Sequence, residues 1–281
     1  MGVTIPGTTV CGVPLAAAIG AFGGDPQKGL KTLEDITPRH VEMAQKLIAN
    51  NAVDIAVEET PDFIHLDLTL SAGENCCRVV VKGTHTNVVE LYINGQPQPL
   101  SEKQNTRTQR ETLPTFSLQQ AYEFINRVDF NDIRFILDAA RLNSALAAEG
   151  KTKKYGLNIN GTFSDAVKNG LMSNDLLSKV IINTVAASDA RMGGAPVVAM
   201  SNFGSGNQGI TATMPVVVVA EHLGVDEETL ARALSLSHLT AISIHSRYTR
   251  LSALCAASTA AMGAAAGMAW LCLLYTSDAA D

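Results

Sequence analysis

Residues 201–213, S-N-F-G-S-G-N-Q-G-I-T-A-T, constrain this chain most, because they set polar, glycine-dense backbone between two apolar runs at 195–200 and 214–220. Gly204, Gly206 and Gly209 permit positive φ and close backbone approach. Successive amide N–H groups can then turn toward one point and form an anion-binding concavity at a helix start. Ser201, Asn202, Ser205, Asn207 and Gln208 add side-chain donors around it. A small carboxylate held there would accept several charge-assisted bonds of roughly 1.5–3 kcal/mol each, enough to orient an amino acid. The segment reads as a carboxylate cradle.

Three other readings compete for it. G-S-G-N-Q-G matches the dinucleotide fingerprint, with Asp226 near the distance of a ribose-binding acid. That reading needs a strand and an uninterrupted helix, and Pro215 is expected to interrupt it. S-G-N-Q-G also occurs in pyridoxal phosphate lyases, which need a Schiff-base lysine and a downstream glycine run. Lys179 is the nearby lysine, and Gly263 and Gly267 are diluted by alanines. A plain turn between buried elements explains the glycines, but not the five amide and hydroxyl side chains among them.

Apolar residues make up 46% of the 281 and charged ones only 17%, so much of the chain is expected to be interior or interface. A net charge of −6 without a basic face argues against nucleic acid. The five cysteines, at 11, 76, 77, 255 and 272, form no disulfide framework. They fit a reducing, cytoplasmic compartment. The opening residues to Gly24 lack the basic leader of a secretory signal. The uncharged run 251–277 is long enough to span a bilayer, yet its Ala, Ser, Thr and Gly content favours a buried central helix over a membrane span.

Taken in order, the chain predicts an α+β protein. Thr37-Pro38 opens a helix with a stripe at Val41, Ala44, Leu47 and Ile48. Strands are expected at 53–57, 63–70, 78–81 and 88–93, with turns at 72–75 and Asn94-Gly95. Between the last two strands lies K-G-T-H-T-N at 82–87, where His85 is either a loop residue or a substrate contact. Residues 96–110 read as a linker. Helices follow from Ser117 to Arg127, over 132–148 with Gly150 as the stop, over 175–187, over 214–223, and from Asp226 to His245. Asp189 and Arg191 are read as a structural ion pair or as substrate-orienting groups. The boundaries expected are a small α/β domain at 1–112, a helical domain at 113–271 and a non-native tail at 272–281.

His238 and His245 lie seven apart, so a helix places them on one face, with Cys255 further along. A zinc site is not indicated, because no C-x-x-C or H-x-x-x-H pair lies near. On composition alone Cys255 is a small buried hydrophobe.

The residues A-A-S-D-A-R-M-G-G at 186–194, the segment from Ser201 through A-E-H at 220–222, and R-L-S-A-L-C-A-A-S-T-A-A-M-G-A-A-A-G-M-A-W at 250–270 together resemble the bacterial L-cysteine desulfidase family. That family is similar to the alpha chain of iron–sulfur L-serine dehydratases. The resemblance runs over nearly all of 1–271, including I-P-G-T at 5–8 and G-T-H-T-N at 83–87. It implies a 4Fe-4S cluster and β-elimination of L-cysteine to pyruvate, ammonia and sulfide, with L-serine as the alternative substrate. Cys255 matches a cluster cysteine. Thr86, Ser201, Asn202, Gly204, Ser205, Gly206, Asn207 and Gln208 would hold the substrate, and His85 is the candidate catalytic residue, closing the site with Thr86 from the small domain. Neither nucleic acid nor membrane is an expected partner, and a homodimer is admitted. The family's G-C-T-E-P motif and its second cluster-cysteine motif have no match here. The sequence is therefore expected to be an internal fragment, inactive and unable to hold a stable cluster with one ligand of three.

Overall fold

The computed structural model describes residues 3–62, 64–100, 116–248 and 252–278, with the backbone alone for 274–278. Two compact units divide the chain: Pro6–Leu113, and Pro114–Asp281 joined by Met1–Ile5. The expected domain boundary at 112, and most of the expected linker, lie outside the described residues. The opening residues belong with the helices rather than with the sheet. Thr4 donates its amide to the Met192 carbonyl at 2.9 Å.

The first unit holds two helices and one sheet. Helix α1 (Val13–Gly23) carries proline in its first turn, where a missing N–H leaves no bond unmade. Helix α2 (Pro38–Ala49) starts with a capping box: Thr37 Oγ1 accepts from the His40 amide, and His40 Nδ1 accepts from Thr37. Strands β1 (His65–Ala72), β2 (Asn75–Lys82), β3 (Val88–Ile93) and β4 (Gln96–Pro97) form an antiparallel sheet in chain order. Gly73 and the Asn94-Gly95 pair, all at positive φ, turn its hairpins. Residues 53–57 are not a strand. Val57 is 97% exposed and Ile55 49%, and without a neighbouring strand β-favouring side chains do not make a ladder.

The second unit is helical: α3 (Leu118–Arg127), α4 (Phe130–Ile133), α5 (Leu137–Thr152), α6 (Ile159–Lys168), α7 (Leu176–Met192), α8 (Gly206–Leu223), α9 (Glu227–His245) and α10 (Ala261–Asp278), the last preceded by a π-helical turn, Cys255–Ala260. Together the units make an α+β fold with helices segregated from an antiparallel sheet.

Helix α8 lies between two cores. Ile210 and Met214 pack with Leu146 and Ala147 of α5 and Ala186, Ala187 and Ala190 of α7. Val216, Val217 and Val219 pack with Leu234 of α9 and Trp270 and Leu271 of α10. Burial nearly all round explains why α8 runs through Pro215, which the sequence reading took as an interruption. Tertiary packing outweighs the lost backbone bond.

Gly150 likewise does not stop α5. A Cβ there would stand 2.0 Å from the Ala186 carbonyl oxygen, so the glycine admits α7 rather than ending a helix. Gly263 and Gly267 do the same for α10: their Cβ positions fall 2.4 Å from the Ser237 carbonyl and 2.8 Å from that of Ala233, both on α9. Among the described residues one stretch, Cys255–Leu273, is long and apolar enough to cross a membrane, and its glycine face is built into the helical core.

Candidate functional site at the start of helix α8

The polar segment becomes a turn and then a helix. Asn202 and Ser205 exchange backbone hydrogen bonds of 3.1 and 2.9 Å, with Phe203 and Gly204 at φ of 50° and 82° between them. Two successive positive φ values make the tight primed turn that reverses a chain in two residues. Ser205 caps α8, its Oγ accepting from the Gln208 amide at 3.3 Å. Gly206 and Gly209 are already helical. They are glycines for space: a Cβ on Gly206 would lie 2.2 Å from Arg191 Nε, and one on Gly209 2.0 Å from the Met200 carbonyl oxygen. The sequence reading began this helix at 214, because close approach and chain reversal call for the same residue.

The first amides of α8 meet a compact set of side chains. Arg191, in the last turn of α7, donates from Nη1 to Asn207 Oδ1 at 3.1 Å and to Met192 Sδ at 3.3 Å. Ser205 Oγ stands 3.5 Å from Cys255 Sγ. Among the described residues no carboxylate pairs with Arg191. Burial pushes its pKa down from the usual arginine value, a shift that the nearby Cys255 opposes. Asp189 does not pair with it: Asp189 Oδ2 accepts from the amide and side chain of Asn160 at 2.8 and 3.2 Å.

Asn202 and Gln208 take another course. Both are buried, and their amides bond each other at 2.7 Å. Asn202 Nδ2 also meets His238 Nδ1 at 3.0 Å and the His238 carbonyl at 3.2 Å, while Gln208 Oε1 meets His245 Nδ1 at 2.5 Å. His238 Nε2 lies 3.0 Å from Thr213 Oγ1. Burial lowers the His238 pKa to about 4, so the ring is neutral at physiological pH. Of the expected donors, then, Ser205, Gly206 and Asn207 stand at the helix start beside Arg191 and Cys255. Asn202 and Gln208 lie beneath it, and Ser201 and Gly204 are exposed.

His85 and Thr86 belong to the sheet unit, exposed at the excursion between β2 and β3, whose base is closed by Asn87 Nδ2 bonding the Lys82 carbonyl. Lys179 lies exposed in the first turn of α7 and Arg191 in its last, about 18 Å apart along the axis, which separates that lysine from the helix start. Asp226 caps α9, bonding the Thr229 amide at 2.8 Å, and the described strands pair only antiparallel. Neither the pyridoxal nor the dinucleotide reading finds its parts. Sequence reasoning passed over Asn143, Thr213, Phe203 and Tyr248. Asn143, a lone amide in the apolar stripe of α5, was the available signal.

A helical unit centred on a glycine-bearing helix start, together with a separate antiparallel unit, defines the class: an α+β protein with a half-buried arginine at the head of its central helix. Residues 27–277 match the serine dehydratase alpha chain model, and the chain belongs to that family.

It is similar to a UPF0597 protein of Klebsiella pneumoniae, 99% identical over 278 residues covering 99% of this chain and 65% of the relative. It is also similar to UPF0597 proteins of Chromobacterium violaceum and Salmonella gallinarum. The first is 48% identical over 272 residues, the second, YhaM, 49% over 277, each covering 96% of this chain and 63% of the relative. The chain thus spans just under two thirds of the length of these relatives. No solved structure matches it.

Proposed function

We propose that this chain carries the carboxylate-gripping part of a β-eliminating amino-acid lyase that converts L-cysteine and water to pyruvate, ammonia and sulfide. One observation supports this above the others: the Arg191 guanidinium is partly desolvated at the start of α8, beside Asn207, and has no carboxylate partner among the described residues. A desolvated cation next to a helix N-terminus favours a small anion twice over, through its own charge and through the helix dipole.

In this reading the substrate carboxylate bonds Arg191 and the amides of Gly206 and Asn207, with Ser205 Oγ and Asn207 Nδ2 as neutral donors. Gripping that end anchors Cα at the helix start, so that aligning the Cα–H and Cβ–S bonds for elimination then depends on rotation about Cα–Cβ alone. L-Serine is the second reading, favoured by the description of the family to which the chain belongs. It presents the same carboxylate and amine.

The iron–sulfur cluster implied by the resemblance asks for more thiolates than the helix start offers. Cys255 brings one thiol to the helix start, and among the described residues no three His, Cys, Asp or Glu side chains converge. A cubane cluster needs three or four thiolates. The described residues therefore do not fit a cluster by themselves, and no step here passes through one.

The test is a titration of L-cysteine and L-serine into the chain and into Arg191→Met. We expect binding in the first and a loss of at least about tenfold in the second, the effect of removing one charge-assisted bond. Equal binding by the two proteins, or none by the unmodified chain, refutes the grip. Pyruvate release by a full-length UPF0597 relative, assayed without oxygen on both amino acids, decides between them.

A further inference from the structure

We infer that Thr213, His238 and Asn202 are positioning residues, linked in a hydrogen-bond chain with only one permitted direction that holds the Asn202–Ser205 turn against Cys255. The inference rests on the reading of the α8 start as the binding site, but it is argued from different atoms.

The direction is fixed at two independent ends. At one end the His238 carbonyl, which can only accept, lies 3.2 Å from Asn202 Nδ2. The atom facing it must be the amide nitrogen, and that same nitrogen lies 3.0 Å from His238 Nδ1. Nδ1 must therefore be the bare, accepting nitrogen of the ring. At the other end Met200 fixes Asn143: the Met200 amide donates to Asn143 Oδ1 at 3.0 Å, so Asn143 Nδ2 is the group that donates to Thr213 Oγ1 at 3.1 Å. Thr213 gives its one proton to the Gly209 carbonyl at 2.7 Å. It can then only accept from His238, so Nε2 must carry the hydrogen. Each end demands the same tautomer without reference to the other.

The chain runs on past Asn202. Its Oδ1 accepts from Gln208 Nε2, which leaves Gln208 Oε1 facing His245, so His245 Nδ1 carries a proton. His245 then stacks on Phe203 at 4.5 Å between ring centroids and on Tyr248 at 4.7 Å, and Tyr248 bonds Thr259 of the turn that begins at Cys255. Phe203 occupies the left-handed region at φ 50°, a conformation that a bulky residue keeps only when its surroundings impose it. Here its own ring stack and the bonds on Asn202 impose it. An imidazolium at position 238 would aim a second N–H at the Asn202 amide hydrogens, which agrees with the depressed basicity of that ring. The consequence lies at the surface of the network: Ser205 Oγ is kept 3.5 Å from Cys255 Sγ.

The test reads tautomers and thiol reactivity, neither of which requires turnover. Nitrogen-15 spectra of the histidine side chains in the unmodified chain should show His238 with a protonated Nε2 and a bare Nδ1 at neutral pH, and His245 with a protonated Nδ1. Asn202→Asp replaces the donor with an acceptor, so His238 should acquire a proton on Nδ1. Alkylation of Cys255, followed on its own peptide by mass spectrometry, should then accelerate about tenfold, the equivalent of one lost hydrogen bond. Cys76 in the sheet unit serves as the internal control and should keep its rate. Thr213→Ser and Thr213→Val should both retain the His238 tautomer, because the Asn202 end demands it alone, and Thr213→Val, which leaves Nε2–H without its acceptor, should accelerate Cys255 where Thr213→Ser does not. The opposite or a mixed tautomer in the unmodified chain overturns the inference. So does an unchanged Cys255 rate in Asn202→Asp, or equal acceleration at Cys76, which would signal general loosening. If the unmodified chain binds neither amino acid, the reading of the α8 start falls, while the tautomers and the Cys255 rate still decide this inference.

Discussion

The two units treat polar side chains in opposite ways. The helical unit buries Asn143, Asn160, Asn202, Gln208, Thr213, His238 and His245 to less than a tenth of their free exposure, and nearly all their bonds run to one another or to backbone. The sheet unit keeps its polar chemistry outside: Arg78 lies between Asp67 and Glu90, and Lys28 bonds Glu34 and Asp35. Among the described residues Asn87 is its one buried polar side chain. Neutral amides and hydroxyls can leave water when every donor finds an acceptor, whereas a formal charge loses far more on desolvation than a partner restores. Asp189 and Arg191 both depart from the pattern of their own unit, but Asn160 bonds the Asp189 carboxylate whereas no carboxylate pairs with Arg191 among the described residues, which is why Arg191 stands out as a place for a ligand.

The largest contrast should come from glycine. Gly209→Ala forces a methyl into the Met200 carbonyl, the same residue that anchors Asn143, and should lower the stability of the helical unit by about 3 kcal/mol in urea titration. Gly73→Ala in the sheet unit meets nothing within 4 Å and suffers only from its φ of 60°, for about 1 kcal/mol. Equal losses would mean that α8 can shift away from Met200, and the close-packing account of its glycines would fail.

Next comes pH. The pKa of His238 is near 4 in the folded chain against an ordinary value of 6.5, so the unfolded chain binds more protons between those limits. Stability should be highest above pH 6.5, fall as pH drops toward 4, and level off below, for a total of roughly 3 kcal/mol. His238→Gln should flatten that window whatever its effect at neutral pH. The sheet unit offers a separate window: the Arg78 guanidinium holds Asp67 below its ordinary 3.8, so its contribution is present above that value and fades only in stronger acid. Melting curves across pH 7 to 4 that are unaffected by His238→Gln would show that the buried ring is not the titrating group.

Much of this was legible in the sequence where local chemistry decides. Thr37, Ser117 and Asp226 announced helix starts, and Asn94-Gly95 a hairpin, because caps and primed turns depend on neighbours within three residues. The helix through Pro215 and the glycine contact at Gly150 were not legible, since both are settled by residues on other helices. At the site, the glycines and polar residues of 201–209 were visible as a group. Which of them face outward was not: Asn202 turns inward because His238, 36 positions later, offers it an acceptor. Arg191 and Cys255 reach the same helix start from different elements, and neither spacing nor periodicity connects them.

A smaller effect tests the caps. Ser117 accepts from the Gln120 amide while Gln120 returns a bond to the Ser117 amide, so Ser117→Ala leaves one donor at the start of α3 unbonded. About 1 kcal/mol should be lost, and Ser117→Asp should restore most of it, as any side-chain acceptor at that position would. Failure of the aspartate to rescue would assign the loss to packing near Phe116 instead.

The smallest effect belongs to the surface ions. Asp67 and Arg78 meet at 2.7 Å but remain more than a third exposed, so water and salt already screen both charges. Asp67→Asn should shift the melting midpoint less than Ser117→Ala does, and the shift should vanish as salt is raised. The buried chain from Asn143 to His245 contains no ion pair, so the effect of Thr213→Val should persist in high salt. If the two variants respond alike to salt, the division between a screened surface and a desolvated interior does not describe this molecule. A salt response confined to Asp67→Asn would place the sheet unit's stability in its apolar contacts and turns, and the helical unit's specificity in bonds that no counterion can reach.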